Sequence, residues 1–211
     1  MELMLATGNR DKQREIKALL RDLDVTVRTL DEFPQAPAVV EDGETCHANA
    51  CKKASEIARW TGMLTLADDT GLEVEALGGR PGVWAARYAG HGATYADNCQ
   101  KLLDELNGVP ETQRGARFLT VVAIADPTAS PVSVELVEGV LDGRIAEACS
   151  GIQGFGYDPV FVVPALGRTL AELSLEQKNQ ISHRGHALMK AKEHLRRSMA
   201  CQTPSGRGAA R

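Results

Sequence analysis

The chain has 211 residues, of which 43% are hydrophobic and 25% charged, which is typical of a globular domain rather than of a disordered or fibrous chain. Its net charge of −4 argues against broad binding to nucleic acid, so an anionic ligand would need a local basic pocket. No segment approaches the roughly 18 apolar residues that span a membrane, and the first residues lack a signal-peptide pattern, so we expect a cytoplasmic protein that binds neither nucleic acid nor membrane.

Hydrophobic periodicity and glycine turns divide the chain into strands and helices. In chain order we predict a strand over residues 2–7, a helix capped by Asn9 or Asp11, a strand over 25–29, a helix over 45–61 that ends at Gly62, a strand over 64–67, a helix over 94–106, a central strand over 118–125, a strand near 132–136, a strand over 160–163 and a helix over 183–199. Because the elements intermix without strict β-α-β alternation, we predict an α/β fold with a mixed sheet. We expect residues 1–199 to form a single domain and residues 200–211 to form a disordered tail.

The first of four polar clusters joins the opening strand to the first helix and consists of Thr7, Gly8, Asn9, Arg10, Asp11 and Lys12. A glycine turn at a helix N-terminus exposes backbone N–H groups that can bind phosphate, and Lys12 adds a positive charge. The spacing is not that of a P-loop, and an ordinary strand-to-helix turn with a surface lysine is the alternative interpretation.

The second cluster contains Glu41, in an acidic loop, and the helix behind it, which carries Asn49, Lys52 and Lys53. Mg²⁺ takes one or two carboxylates and leaves its other positions to water and phosphate oxygens, so Glu41 is a candidate ligand. A solvated loop beside an ordinary polar helix face is the alternative.

The third cluster, Asp68-Asp69-Thr70, directly follows the predicted strand over residues 64–67. Two adjacent carboxylates repel each other at the end of a buried strand unless a cation lies nearby, and ligands often bind at strand ends in α/β sheets. A helix cap or an Asx turn would use one aspartate but hardly both. The pair therefore favours a functional role.

The fourth cluster combines a glycine-rich loop with basic side chains further along the chain. Its members are Phe155, Gly156, Tyr157, Asp158, Lys178, His183 and Arg184. Glycine lets the backbone approach a ligand closely, the two aromatic rings can stack on a base, and the charged groups can hydrogen-bond to it. The glycine order is not that of a dinucleotide fingerprint, and a structural hairpin turn is the alternative.

Together these stretches resemble the inosine triphosphate pyrophosphatase family, enzymes that remove non-standard purine nucleotides from the nucleotide pool. The resemblance runs from about residue 3 to residue 190. Five motifs carry it: TGNRDK (7–12), EDGETCHANACKKA (41–54), LADDTGLEVEALGGRPGVWAARYAG (66–90), GFGYDPVF (154–161) and KNQISHRGHAL (178–188). It implies Mg²⁺-dependent hydrolysis of ITP, dITP and XTP to the monophosphate and pyrophosphate. It also implies an elongated α/β structure flanked by helices, an active-site cleft between two lobes, and a homodimer.

The resemblance further implies a role for each cluster. Residues 7–12 would bind the triphosphate, and Glu41 and Asp69 would hold Mg²⁺, with Asp69 also accepting the proton of the attacking water. Lys53 would face the phosphates and Thr70 would contact the substrate. The fourth cluster would bind the nucleotide, mostly at its base.

Three positions depart from the family pattern. Cys46 stands where Phe is usual, Trp84 where Tyr is common, and Thr70 where Ser is usual. None removes a proposed ligand or catalytic group, although we expect Cys46 to alter packing near the cleft. The five cysteines contain no C-x-x-C pair, which favours reduced thiols over disulfides or a zinc site.

Specificity for hypoxanthine and xanthine would come from the carbonyl at the six-position of the base. Donors such as Arg184 and backbone N–H groups can bond this oxygen, but they would meet the amino group of adenine donor to donor. Rejection of GTP needs a separate block, which the sequence does not show. Two other hypotheses stay open: a non-catalytic nucleotide sensor, and a pyrophosphatase for modified pyrimidine nucleotides.

Overall fold

The computed structural model describes the backbone of residues 1–202 and the side chains of residues 1–199. Its centre is one eight-stranded sheet. The strands are β1 (Glu2–Leu5), β2 (Thr26–Thr29), β3 (Thr65–Val74), β4 (Pro81–Gly82), β5 (Gly115–Asp126), β6 (Ser133–Ile145), β7 (Phe161–Val163) and β8 (Arg168–Thr169). The helices are α1 (Arg10–Leu20), α2 (Cys46–Thr61), α3 (Tyr95–Glu105), α4 (Leu175–Ile181) and α5 (His183–Gln202).

The sheet has the order β2-β1-β3-β5-β6-β7-β8, with β4 paired to β3. Strand β1 runs parallel to both β2 and β3, whereas every other pair is antiparallel. The predicted α/β fold with a mixed sheet is therefore confirmed. None of the described helices combines the length and the apolar character that crossing a bilayer requires.

Capping residues set the ends of the helices around the candidate site. The side chain of Asn9 accepts hydrogen bonds from the backbone amides of Asp11 and Lys12, so Asn9, one of the two predicted caps, begins α1. Thr45 caps α2, and Gly62 ends it in a left-handed conformation with φ of 68°, as predicted. These local signals lie within a few residues of the ends they determine.

The sequence prediction was wrong for β3, which continues through the Asp68-Asp69-Thr70 cluster to Val74 instead of ending at residue 67. The polar residues break the apolar pattern, but pairing with β5 from Thr65 opposite Ala125 to Val74 opposite Ala116 keeps the strand intact. The cluster therefore lies inside a central strand and not in a loop after it.

Other elements also differ from the prediction. Strand β6 continues to Ile145 instead of ending near residue 136, and the short strands β4 and β8 were not predicted. Helix α4 was not predicted; Ser174 caps it, and the side chain of Gln177 completes a capping box. Helix α5 continues to Gln202, beyond the predicted end at residue 199. The predicted tail from residue 203 onward lies outside the described residues.

Three hydrophobic clusters pack around the sheet. One lies between the sheet and helices α1 and α5 and includes Ile16 and Leu188. A second lies under α2 on the opposite face and includes Ile57. The third lies around α3 and β7 and includes Leu102 and Phe161. The sheet is thus flanked by helices, and the clusters under α2 and α3 both contribute residues to the cleft described below.

Candidate active site

All four polar clusters meet at one cleft with a volume of about 390 Å³. Its walls come from the β1–α1 turn, the loop before α2, helix α2 itself, the middle of β3, the start of α3, the loop before β7, and helices α4 and α5. Every predicted site residue lines this cleft except Arg10 and Asp11. This convergence favours one binding site over the alternative interpretation, in which the clusters are separate structural turns.

The turn from Thr7 to Lys12 forms one wall of the cleft. The hydroxyl of Thr7 accepts from the amide of Asn9 at 3.2 Å, and Asn9 itself occupies two amides of the first helical turn. Lys12 reaches across the cleft wall to the buried Asp68, with 3.0 Å between Nζ and Oδ2. The side chain of Asp11 instead pairs with Arg14 on the surface. Lys12, not the helix N-terminus alone, thus supplies the positive charge at this wall.

Glu41 and Asp69 meet at the ammonium group of Lys53. Its Nζ atom lies 2.9 Å from Oε2 of Glu41 and 3.4 Å from Oδ1 of Asp69, and it also donates to the carbonyl of Asp68 at 2.7 Å. Both carboxylates therefore lie close enough to share one cation. The two acidic residues, 28 positions apart in sequence, are neighbours in space because α2 stands beside β3.

Asn49 holds the acidic loop against α2. Its side-chain oxygen accepts from the amide of Gly43 at 2.8 Å, and its amide group donates to Asp69 at 3.4 Å. A Cβ atom at Gly43 would lie 2.7 Å from the same Asn49 oxygen, so only glycine allows this close approach. The loop that carries Glu41 is thereby fixed relative to Asp69.

The pKa values of the two carboxylates shift in opposite directions. Burial raises the pKa of Asp69, and the charge of Glu41 adds to this rise, which outweighs the attraction of Lys53 and Lys12. Burial also acts to raise the pKa of Glu41, but the charge of Lys53 and its hydrogen bond lower it overall. Asp69 is thus the more basic carboxylate of the pair, as a proton acceptor should be.

Asp68 and Asp69 face opposite sides of β3, because side chains alternate along a strand. Asp68 is fully buried against Lys12 and Arg184, whereas Asp69 faces Lys53 on the side of α2. Burial acts to raise the pKa of Asp68, but the charges of Lys12 and Arg184 outweigh it and lower the pKa overall. The expected repulsion between the adjacent carboxylates is therefore avoided by the strand geometry itself.

A buried charge network links Asp68 to the fourth cluster. The guanidinium of Arg184 donates from Nε to Asp68 at 3.1 Å and from Nη1 to Glu15 at 2.6 Å. Glu15 also pairs with Lys178 at 2.7 Å, and Lys178 in turn bonds to Asp158. All of these side chains are nearly inaccessible to solvent, so each charge depends on its partners.

The loop before β7 has one available aromatic ring rather than two. Tyr157 is buried in the cluster around α3, and its hydroxyl donates to the carbonyl of Ala85 at 2.9 Å. Phe155 is half-buried, and its ring centroid lies 4.7 Å from Nζ of Lys178. Of the two rings proposed to stack on a base, Phe155 is therefore the more accessible.

His183 is buried at the cleft wall and is neutral. Burial, together with the positive charges of Arg184 and Lys178, places its pKa well below the ordinary value of 6.5. Its Nδ1 atom lies 2.6 Å from the hydroxyl of Thr120, and its ring stacks on Phe118. The imidazole thus acts as a hydrogen-bonding group without charge.

Sequence reasoning missed three residues at this site. Glu15 and Thr120 carried no local signal, because their partners are far away in the chain and meet them only in the folded sheet and helices. Tyr95, at the start of α3, belongs to none of the four polar clusters. Its side chain is 41% exposed and lines the cleft, where it accepts a hydrogen bond from Asn9 and contacts the ring of Phe155.

The cysteines near the site are free thiols, as expected. Cys46 is buried beside Asp69, and burial together with that carboxylate raises the pKa of its thiol to about 12. A Cβ atom at Gly71 would lie 3.2 Å from the Cys46 sulfur, so the small thiol packs directly on β3. The neighbouring His47 points away from the site and pairs with Glu138 at 2.5 Å on the surface.

The chain is similar to named proteins over most of its length. The chain is 52% identical over 192 residues to a protein from Geobacillus kaustophilus named dITP/XTP pyrophosphatase, which covers 91% of this chain and 93% of the relative. A protein of the same name from Shouchella clausii is 46% identical over 194 residues, covering 92% of this chain and 96% of the relative.

Solved structures show the same fold. A HAM1 protein from Coxiella burnetii has a TM-score of 0.84 and 42% identity, covering 93% of this chain and 99% of that one. The Ham1 protein of Staphylococcus aureus has a TM-score of 0.82 and 37% identity, covering 94% and 100%. The sequence profile of the Ham1 family matches residues 3–194. The chain therefore belongs to the Ham1 family.

Proposed function

We propose that this chain is a nucleoside triphosphate pyrophosphatase that hydrolyses ITP, dITP and XTP to the monophosphate and pyrophosphate. The dITP/XTP pyrophosphatases described above support the reaction and the substrate class. Within the chain, one observation carries the proposal: Glu41 and Asp69 converge on Lys53 in the cleft that also holds Lys12 and Phe155. This activity would keep non-standard purines out of DNA and RNA.

Glu41 and Asp69 are the residues that would hold Mg²⁺. Two carboxylates fit this ion, which takes one or two of them and completes its shell with water and substrate phosphate oxygens. Among residues 1–199, no group of three or more His, Cys, Asp and Glu side chains is arranged to hold a metal, so the substrate would supply further ligands. When bound, the ion would offset phosphate charge and make a coordinated water more acidic.

Asp69 would accept the proton of the water that attacks the α-phosphorus, because burial makes it the more basic carboxylate of the pair. Lys12 and Lys53 would stabilise the negative charge that builds on the bridging oxygen as the bond to pyrophosphate breaks. Both ammonium groups are already held by carboxylates, Lys12 by Asp68 and Lys53 by Glu41, so they are positioned before substrate arrives.

The base would lie at the fourth cluster, with Phe155 as the stacking ring. Arg184 is less available to the six-position carbonyl than the sequence suggested, because its Nε, Nη1 and Nη2 atoms already donate to Asp68, Glu15 and Thr70. Its main role would be to hold these groups in place.

A pyrophosphate-release assay over ITP, dITP, XTP, GTP, ATP and dUTP, with and without EDTA, tests the proposal. We expect release from the first three substrates and its loss in EDTA. Preferential cleavage of dUTP would favour a pyrimidine enzyme, and binding of ITP without pyrophosphate release would favour a nucleotide sensor. Either result contradicts the proposal.

We further propose that residues 1–199 act as a single catalytic domain and that two copies form a homodimer in the cytoplasm. The resemblance to the inosine triphosphate pyrophosphatase family supports the dimer. Light scattering after gel filtration should give twice the chain mass of 22.7 kDa. A monomer at micromolar concentration would contradict this assignment.

A further inference from the structure

The imidazole of His183 is held on two sides. Its Nδ1 atom lies 2.6 Å from Oγ1 of Thr120, and its ring stacks on Phe118 with the centroids 4.4 Å apart and the planes inclined by 25°. Because Nδ1 is occupied, the ring can offer only Nε2 to a ligand in the cleft that His183 lines. Whether Nε2 is a donor or an acceptor then depends on which nitrogen carries the proton.

A chain of hydrogen bonds connects this ring to Arg184. Nη2 of Arg184 donates to Oγ1 of Thr70 at 3.1 Å, and Oγ1 of Thr70 lies 2.7 Å from Oγ1 of Thr120. Thr120 sits on β5 directly opposite Thr70 on β3 and is fully buried. The four groups thus form an unbroken line from guanidinium to imidazole.

The guanidinium sets the direction of this chain, because it can only donate. With Arg184 donating to Thr70, the Thr70 hydroxyl donates to Thr120 and the Thr120 hydroxyl donates to Nδ1. Every hydroxyl then accepts one bond and donates one. In the reverse arrangement Nδ1 donates to Thr120 and Thr120 donates to Thr70. The side-chain partners of Thr70 among residues 1–199 are Thr120 and Arg184, so its proton would then have to bond to solvent in the cleft, whereas the first arrangement satisfies every hydroxyl within the protein.

We infer that Thr120 is a positioning residue for base specificity, which fixes the proton of His183 on Nε2 so that the cleft presents a hydrogen-bond donor. This inference rests on the proposed function, in which His183 binds the base. A donor at Nε2 can bond the six-position carbonyl of hypoxanthine or xanthine but opposes the amino group of adenine. The low pKa of His183 agrees with it, because a neutral ring has one donor and one acceptor.

Replacing Thr120 by valine removes the hydroxyl and keeps the side-chain shape. The imidazole proton is then free to move to Nδ1, so that Nε2 can accept from the amino group of adenine. In the wild type, moving the proton from Nε2 to Nδ1 would leave one hydroxyl without a hydrogen bond that it now donates. A bond of this kind corresponds to about a tenfold change in an equilibrium.

Kinetics of Thr120→Val and Thr120→Ser test the inference. We expect the ratio of kcat/KM for ITP to that for ATP to fall about tenfold in Thr120→Val and to stay near the wild-type value in Thr120→Ser, which keeps the hydroxyl. The ratio of ITP to GTP should not change, because guanine carries the same carbonyl. A folded Thr120→Val variant with an unchanged ITP-to-ATP ratio would overturn the inference.

Nitrogen-15 NMR of the labelled imidazole in the wild-type protein gives a second test, which needs no altered fold. The signals of His183 are assigned by their loss in His183→Gln. We expect the proton on Nε2 in the wild type and a detectable Nδ1–H population in Thr120→Val; a proton on Nδ1 in the wild type would reject the inference. If the wild type releases no pyrophosphate from ITP, the proposed function is wrong. The NMR experiment still determines which nitrogen of His183 carries the proton, because it does not depend on activity.

Discussion

Asp68 and Asp69 are neighbours in sequence, but strand geometry gives them different surroundings. Asp68 lies among Lys12 and Arg184 on one face of β3 and is a buried anion that holds these cations. Asp69 faces Glu41 and Lys53 on the other face, where its pKa is raised. We therefore propose that Asp68 organises the binding groups and that Asp69 serves in proton transfer.

Replacing Asp69 by asparagine tests this division. We expect Asp69→Asn to reduce pyrophosphate release from ITP by about 10²–10⁴-fold, because general base catalysis contributes that much, while the circular dichroism spectrum stays unchanged. Asp42→Asn is the matched control, since Asp42 lies beside Glu41 but pairs with Lys52 on the surface. Near-normal turnover by Asp69→Asn would refute the role.

Residues within continuous motifs were predictable, whereas their partners were not. Asp69 and Lys12 stand in short polar runs that interrupt the apolar pattern of the chain, and local patterns reveal such runs. Glu15 looks like one more polar residue of an amphipathic helix, yet it contacts Arg184, 169 positions later. Such pairs depend on how helices and strands pack, and a single sequence holds no local signal for them.

At the scale of elements, the conformation of the loop before β7 depends more on Gly154 than on Gly156. Gly154 and Gly156 both have positive φ angles, of 72° and 62°. A Cβ at Gly154 would lie 2.0 Å from Oδ2 of Asp158, whereas a Cβ at Gly156 would meet nothing within 4 Å. Only the first position combines backbone conformation with close contact.

We therefore expect Gly154→Ala to destabilise the protein more than Gly156→Ala. Both changes carry the left-handed backbone penalty of about 1–2 kcal/mol. The clash with Asp158 should add about 1–3 kcal/mol to the first alone. Urea unfolding measures both, and equal losses for the two variants would show that Asp158 does not constrain the loop.

Helix caps were predictable from the sequence, but the length of β3 was not. Asn9 and Gly62 act within a few residues of the ends they set. The polar run from Asp68 to Thr70 looks like the end of a strand, and only pairing with β5 continues the strand through it. Pairing between strands overrides the local pattern here. The cluster from Asp68 to Thr70 was therefore predicted to follow the strand, although it lies inside β3.

At the scale of the whole molecule, Glu15 joins α1 to helices α4 and α5. Its carboxylate lies 2.7 Å from Lys178 and 2.6 Å from Arg184 and is nearly inaccessible to solvent. Burial acts to raise its pKa, but the two cations lower it overall. Without Glu15 these cations would be left with too little negative charge around them.

Glu15→Gln should lower the free energy of unfolding by about 3–5 kcal/mol, the usual cost of breaking a buried ion pair. Asp11→Asn provides the control on the same helix, because Asp11 forms an exposed pair with Arg14 worth about 0–1 kcal/mol. Chemical denaturation compares the two variants. Similar small losses for both would mean that the buried network contributes little to docking the helices.

His183 should make stability depend on pH. Its pKa in the folded chain lies well below 6.5, through burial and the charges of Arg184 and Lys178, so only the unfolded chain takes up a proton as the pH falls through 6.5. The contribution of neutral His183 to the free energy of unfolding is fully present above pH 6.5. Below that pH the free energy of unfolding decreases by up to about 1.4 kcal/mol per pH unit. Urea unfolding at pH 7.5 and 5.5 should show a smaller decrease for His183→Gln than for the wild type; equal decreases would exclude this group as the cause.

The proposed reaction requires Glu41 and Asp69 to share one divalent ion beside a triphosphate bound at residues 7–12. A crystal structure with Mn²⁺ and a non-hydrolysable ITP analogue tests it through the anomalous signal of the metal. We predict a metal peak within bonding distance, about 2 Å, of both carboxylates and of a phosphate oxygen, with the triphosphate against Lys12. A metal bound elsewhere, or a bound triphosphate with Lys53 and no metal between Glu41 and Asp69, would contradict this arrangement.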